Sequence, residues 1–350
     1  MSKRSKLLFL FIIVALTAVF ALNAVAAARE DIQVTPAALM ETAASGTAAT
    51  VSAGTVAAAA ETAADAQGGG DWWIWPLVLF VVTFFMGIVA VLGGVGGGVL
   101  YVPIIGGFFP FNLDFVRGAG LLVALAGALA AGPGLLKKGM ADLRLALPAA
   151  LIASTFAIVG AMIGLSVPEN ITQTALGATI LGIVVIMVLA KKSEYPEVPK
   201  ADGLSSALRI TGVYHDAASG KDIDWKIHRT PVGLASFVLI GTLAGMFGLG
   251  AGWANVPVLN LLLGAPLKVS VATSKFLLSI TDTSAAWVYI NEGAVIPLMV
   301  IPSIIGIMLG SLIGVRALTV AKPVVVRYVV IVMLLLSGAR ALLKGLGIWT

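Results

Sequence analysis

The sequence predicts an all-α polytopic membrane protein made of two inverted repeats, each with a glycine-broken, re-entrant helix and three transmembrane helices. Three observations carry that expectation. Of 350 residues, 59% are apolar and 11% charged, with mean hydropathy +1.04, where soluble domains run at about 45–50% apolar and about 25% charged. A glycine-rich run interrupts the first long apolar segment and returns 154 residues later. The basic residues gather on one side of the membrane only if each broken segment turns back at its glycines.

The first run is Val91-Leu92-Gly93-Gly94-Val95-Gly96-Gly97-Gly98-Val99-Leu100-Tyr101-Val102-Pro103, and the second is Gly248-Leu249-Gly250-Ala251-Gly252-Trp253-Ala254-Asn255-Val256-Pro257. Each glycine costs about 1 kcal/mol against Ala in a helix interior, so this density opens the helix and frees backbone amides to bind a ligand. At the same shift, without a gap, Gly87 pairs with Gly241, Leu113 with Leu267, Gly139 with Gly293, Pro148 with Pro302 and Gly160 with Gly314. That register predicts a duplication.

From the beginning, residues 1–28 have the basic, apolar and small-residue parts of a secretory signal peptide, or else form an N-terminal anchor helix. Residues 29–71, rich in Ala and Thr, have no apolar periodicity and read as a flexible extracytoplasmic tail. The first repeat is expected over 72–190, with spans at 73–111 (broken), 116–136, 145–166 and 171–190. A cytoplasmic linker follows at 191–231, in which Thr211 to Lys226 reads as a short hairpin around a turn. Its plainer reading is a solvated spacer. The second repeat takes 232–350, with spans at 232–264 (broken), 269–290, 296–315 and 324–344. Trp72, Trp73, Trp75 and Trp349 fit interfacial anchors.

Charge selects the topology. With the tail outside and each broken segment crossing once, Lys137, Lys138 and Arg144, and then the basic linker, face outward. With each broken segment re-entrant, these loops become cytoplasmic together with Lys268, Arg316 and Lys322. As one helix, 73–111 would run to about 58 Å against a core of about 30 Å. Three crossings per half is an odd number, so the halves are inverted, as in many secondary transporters whose sites lie at the helix breaks.

Candidate substrate-binding residues follow from the breaks and from charge within the spans. Gly94, Gly96, Gly98 and Pro103 mark the first break; Gly248, Gly250, Gly252, Asn255 and Pro257 mark the second. The spacing of Gly94 and Gly98, and of Gly248 and Gly252, also suits close helix packing, and so does the stripe Gly306, Gly310, Gly314. Free amides and positive helix ends favour an anion. Lys275, Ser279 and Asp282 share one helix face, and charges there are costly unless paired or functional. Site residues and a structural Lys275–Asp282 pair are both open readings. Arg117 and Asp114 are read as loop or snorkelling charges at an interface.

The Gly-x-Gly-Gly-Gly run followed by a proline, Gly94 to Gly98 and then Pro103, resembles the signature of the sulfite exporter TauE/SafE family of membrane permeases. Gly264-Ala265-Pro266-Leu267-Lys268, Ala272-Thr273-Ser274 and Gly293 resemble that family's segment after its second glycine run, which adds Ser274 to the candidates. The resemblance covers roughly residues 73–345 and implies a secondary permease for small anions, sulfur-containing ones such as sulfite, sulfonate or sulfoacetate. The chain departs from the pattern at Ala251, Trp253, Asn255, Lys275, Asp282 and Gly118-Ala119-Gly120.

The rival reading is a membrane-embedded scaffold or assembly factor that recruits a partner through the linker. No enzyme is expected, since paired histidines, cysteines and clustered carboxylates are missing from the spans. His215 and His228 lack a second ligand at metal spacing, so neither a metal nor a cofactor is expected. The expected partners are a small anionic substrate and the lipid bilayer of the cell (inner) membrane, with no nucleic acid, and a homo-oligomer is compatible with the sequence.

Overall fold

The structure, a computed structural model, describes residues 73–93, 96–137, 141–189, 196, 198–216, 221–317 and 323–347. The signal peptide or anchor, the tail, Trp72, Gly94, Val95, Lys138, Gly139, Lys191, Lys192, the hairpin turn at 217–220, Lys322 and Trp349 of the sequence reading lie outside the described residues. The chain divides into two units, Met1–Leu79 and Phe80–Thr350. The described residues of the first are the start of a helix, α1 (Ile74–Gly93).

The remaining elements belong to the second unit. They are α2 (Gly97–Phe108), α3 (Leu113–Lys137), α4 (Leu143–Ser166), α5 (Glu169–Leu189), the short α6 (Gly203–Ala207), strands β1 (Thr211–Asp216) and β2 (Lys221–Lys226), α7 (Thr230–Phe247), α8 (Gly252–Pro257), a π turn (Val258–Leu262), α9 (Leu267–Asn291), α10 (Pro297–Ala317) and α11 (Pro323–Gly345). Among the described residues six helices, α1, α3, α4, α5, α7 and α10, are long and apolar enough to cross a membrane. α9 has 25 residues, enough for about 38 Å, but carries Lys268, Lys275 and Asp282. The protein is a mostly helical, multi-pass membrane protein.

Small residues decide which helices touch. A Cβ built on Gly160 of α4 would stand 2.1 Å from the Thr242 carbonyl oxygen of α7, and one on Gly241 would stand 2.3 Å from that of Ala153. Only glycine permits backbones this close. α10 packs on α1 in the same manner: a Cβ on Gly310 would stand 2.0 Å from the Phe84 carbonyl oxygen, and one on Gly87 would stand 2.6 Å from that of Ile307. The stripe Gly306, Gly310, Gly314 is thus a packing surface. The two seams correspond: moving Gly160 forward and Thr242 back by 154 residues gives Gly314 and Ile88, which also meet. Each half lends a helix to a seam with the other.

The linker differs from the plainer expectation of a solvated spacer. β1 and β2 form an antiparallel hairpin with Thr211 opposite Lys226 and Tyr214 opposite Ile223. Ile210, Tyr214, Trp225 and Ile227 are buried in one core with Leu145 and Ala149 of α4, Phe237 of α7, and Leu259 and Leu263 around the π turn. Apolar side chains on one face of the hairpin meet the end of the helical body, and burying them there is favourable.

Asp202 fastens this docking. Its carboxylate accepts from the Ser205 amide (3.1 Å), capping α6, and from the amide (2.9 Å) and hydroxyl (2.8 Å) of Thr230, at the start of α7. One side chain thereby satisfies orphan donors at two helix starts. Desolvation pushes the Asp202 carboxyl up, but the hydrogen bonds from Ser205 and Thr230 outweigh it and hold the group below the usual carboxylate range. Asp142 caps α4 through the Leu145 amide (2.7 Å), and its own amide donates to the Thr273 hydroxyl of α9 (3.2 Å).

Candidate functional site at the glycine breaks

The first break separates α1 from α2, with Gly96 extended (φ −70°, ψ 149°) and no side chain capping α2. The second runs from Gly248 to Ala251 and holds two left-handed residues, Gly248 (φ 67°) and Gly250 (φ 66°). A side chain at either would be strained, which is why a helix of otherwise apolar residues opens here and not a turn earlier. α8 also starts without a side-chain cap. Proline falls inside both helices that follow, Pro103 in α2 and Pro257 in α8. Each removes an amide from the ladder, and behind Pro257 the chain relaxes into the π turn.

The two breaks meet. A Cβ on Gly252 would stand 3.1 Å from the Cα of Gly96, and one on Gly98 would stand 2.7 Å from the Leu249 carbonyl oxygen. α3 borders the junction: a Cβ on Gly120 would stand 2.6 Å from the Gly248 carbonyl oxygen, and one on Gly248 would stand 2.3 Å from that of Arg117. α9 borders the same point through Leu278, 3.2 Å from the Gly252 position, and through Asp282, whose Oδ2 lies 2.9 Å from the Gly250 position. The structure therefore brings together Gly96, Gly98, Gly248, Gly250, Gly252 and Asp282, which lie far apart in sequence.

Polar groups without partners gather on the elements around this junction. Asp282 is fully buried and neither carboxylate oxygen has a hydrogen-bond partner; both side-chain amide atoms of Asn255, also fully buried, lack one, as do Thr281 Oγ1 and Trp253 Nε1. Such groups are rare in native interiors and call for water, an ion or a ligand. Lys275 is partly buried. It and Asp282 feel each other's charge, yet no hydrogen bond closes on the carboxylate. Ser274 is buried in α9. Pro257 turns elsewhere and lines an apolar recess with Ile186, Ala254, Val258, Leu261 and Leu262. Pro103 is buried within α2, seven residues beyond Gly96.

Arg117 and Asp114 differ from the sequence reading. Arg117 is buried at 1% exposure. It pairs with Asp114 and donates through Nη1 to the carbonyls of Gly164 (3.0 Å) and Met246 (3.1 Å). Tyr289 of α9 donates to Gly245 (3.0 Å) and Met246 (3.2 Å), and the guanidinium lies over its ring at 6.0 Å. The arginine binds carbonyls in the last turns of two helices, Gly164 of α4 and Met246 of α7 just before the second break, where a helix C-terminus favours a cation. Proximity to an expected interface pointed outward; the polar target that draws the side chain inward, carbonyls on two other helices, is invisible in the local sequence.

The family model described as Sulfite exporter TauE/SafE matches residues 79–341. The chain is 24% identical over 277 residues, 77% of its length and 98% of the relative's, to the "Probable membrane transporter protein YunE" of Bacillus subtilis (strain 168). No solved structure matches significantly.

Proposed function

Because the chain belongs to the sulfite exporter TauE/SafE family, and so is a membrane transporter, we propose that it is a secondary permease for small sulfur-containing anions that bind where the two glycine breaks meet. The observation that carries this reading is the junction itself: Gly96 against Gly252, with the buried and unpartnered amide of Asn255 nearby in sequence on α8. Backbone amides at two uncapped helix starts suit an anion, and Lys275 on α9 supplies the cation. Inverted halves are part of the proposal and draw support from the seams that repeat under exchange of halves. The scaffold alternative loses ground because the hairpin's aromatic face, Tyr214 and Trp225, is occupied within the protein's own core.

The test is flux into vesicles containing the purified chain, with sulfite, sulfate and small sulfonates compared. K275M should abolish binding and K275R should keep part of it, since charge is retained while the compact ammonium is lost. If Lys275 only neutralises Asp282, the K275M/D282N double variant should regain transport. Transport restored there removes Lys275 from the anion site, and no flux of any of these anions by the wild type removes the substrate class.

A further inference from the structure

We infer that Asp282 is a proton-binding site that couples anion movement to proton movement, taking up one proton for each monovalent anion that reaches Lys275. The inference rests on the permease reading above and adds the coupling ion to it.

The carboxyl is fully buried, and both its oxygens are unpartnered. The backbone amide of Ala251 faces it without closing a hydrogen bond. Both its oxygens lie close to Gly250, 2.9 and 3.3 Å from where a Cβ there would stand. An ionised carboxylate in such surroundings is strongly unfavourable unless a cation compensates it.

The available cations can be enumerated among the described side chains. α9 packs against α3, α4, α7, α8 and the π turn. α7, α8 and the π turn contain no charged residue. On α3, Arg117 is engaged by Asp114, Gly164 and Met246; on α4, Arg144 donates to the Arg209 carbonyl. On α9 itself, Lys268 stands about four turns from Asp282, and Tyr289 is tied to Gly245 and Met246. The remaining group is Lys275, two turns from Asp282 on the same face and electrostatically linked to it.

Charge balance then dictates a cycle. In the empty site the Lys275 ammonium and the Asp282 carboxylate offset each other across those two turns. When a monovalent anion binds the ammonium, the carboxylate loses its compensation and takes a proton from water on the loading side. When the anion leaves on the other side the proton leaves with it. The site is neutral in both states, and one proton travels with one anion in the same direction. The same arrangement explains how an anion can bind within reach of an acidic side chain at all.

The full-length chain in vesicles with a trapped pH-sensitive dye tests the coupling, with methanesulfonate as probe because its strong acid carries no proton in the working range. A methanesulfonate gradient should drag protons in its own direction, and an acid-outside gradient should drive accumulation that a protonophore abolishes. In D282N, any flux that survives should move no protons and ignore the pH gradient. A second measurement is independent of transport: the pH-difference infrared spectrum of the detergent-solubilised wild type should contain the C=O stretch of a protonated carboxyl, lost in D282N and shifted in D282E. Proton movement undiminished in D282N overturns the inference, and so does an infrared spectrum without an Asp282-dependent band. If methanesulfonate is not carried, the substrate reading fails for that anion while the infrared band still decides the proton site.

Discussion

A methyl group on Gly248 should disable the second break from two directions at once. The residue is left-handed (φ 67°), and its added Cβ would stand 2.3 Å from the Arg117 carbonyl oxygen and 2.5 Å from the Arg117 Cα. Both are backbone atoms of α3, so no rotamer change can relieve the contact. The left-handed conformation costs about 1 kcal/mol for Ala, and overpacking costs about 1–3 kcal/mol. Together G248A should lose about 2–4 kcal/mol, roughly 30- to 700-fold in the folded-to-unfolded ratio. G107A is the control, because a Cβ there meets nothing within 4 Å and a helical Ala gains up to about 1 kcal/mol over Gly. Thermal retention of the monodisperse detergent-solubilised peak reports stability, and anion flux in vesicles reports the site. Equal stability of G248A and G107A would refute the argument that the break is held against α3 by glycine alone.

R117M should lose about 2–4 kcal/mol, since it removes charged hydrogen bonds to two carbonyls and leaves the Asp114 charge without its partner; thermal stability of the purified protein checks it. Asp202, whose carboxyl lies below the usual range when folded, stabilises the linker docking fully above the unfolded value near pH 4, and that contribution disappears as pH falls through the folded value. Melting temperature against pH should therefore decline more steeply on acidification for wild type than for D202N, with the difference kept small by partial solvent exposure. For topology, a cysteine at the exposed Ser206 of the linker should resist an impermeant thiol reagent in intact cells while S45C reacts; the reverse pattern would refute a cytoplasmic linker.

Much of the fold could be read from the residues because a bilayer imposes length and apolarity together. The glycine runs marked the helix ends at Gly93 and Phe247, and the Thr211 to Lys226 stretch marked the hairpin. What the sequence did not reveal depended on contacts across the halves. Gly160 looks like any small residue until Thr242 is placed 2.1 Å from where its Cβ would be. Arg117 sits one turn from a helix start, where a charge ordinarily reaches for water, and only the carbonyls of Gly164 and Met246 explain its burial. Within the candidate site, periodicity placed Lys275 and Asp282 on one face, whereas the lack of partners at Thr281 and Trp253 could be seen only once their neighbours were in place.

The exchanged seams constrain how the protein can be made. α4 emerges from the ribosome with Gly160 and Gly164 bare, and the backbone they fit, at Thr242 and Met246, is synthesised roughly eighty residues later. α1 waits longer, for the Gly306 to Gly314 face of α10. A nascent first half is therefore an unfinished surface and not a folded module, and a chain cut in the linker would present grooves to lipid or to quality-control machinery. Two fragments divided at the linker and synthesised together have what each other lacks. Assembly of such fragments in trans, with neither persisting alone, is the outcome this geometry demands.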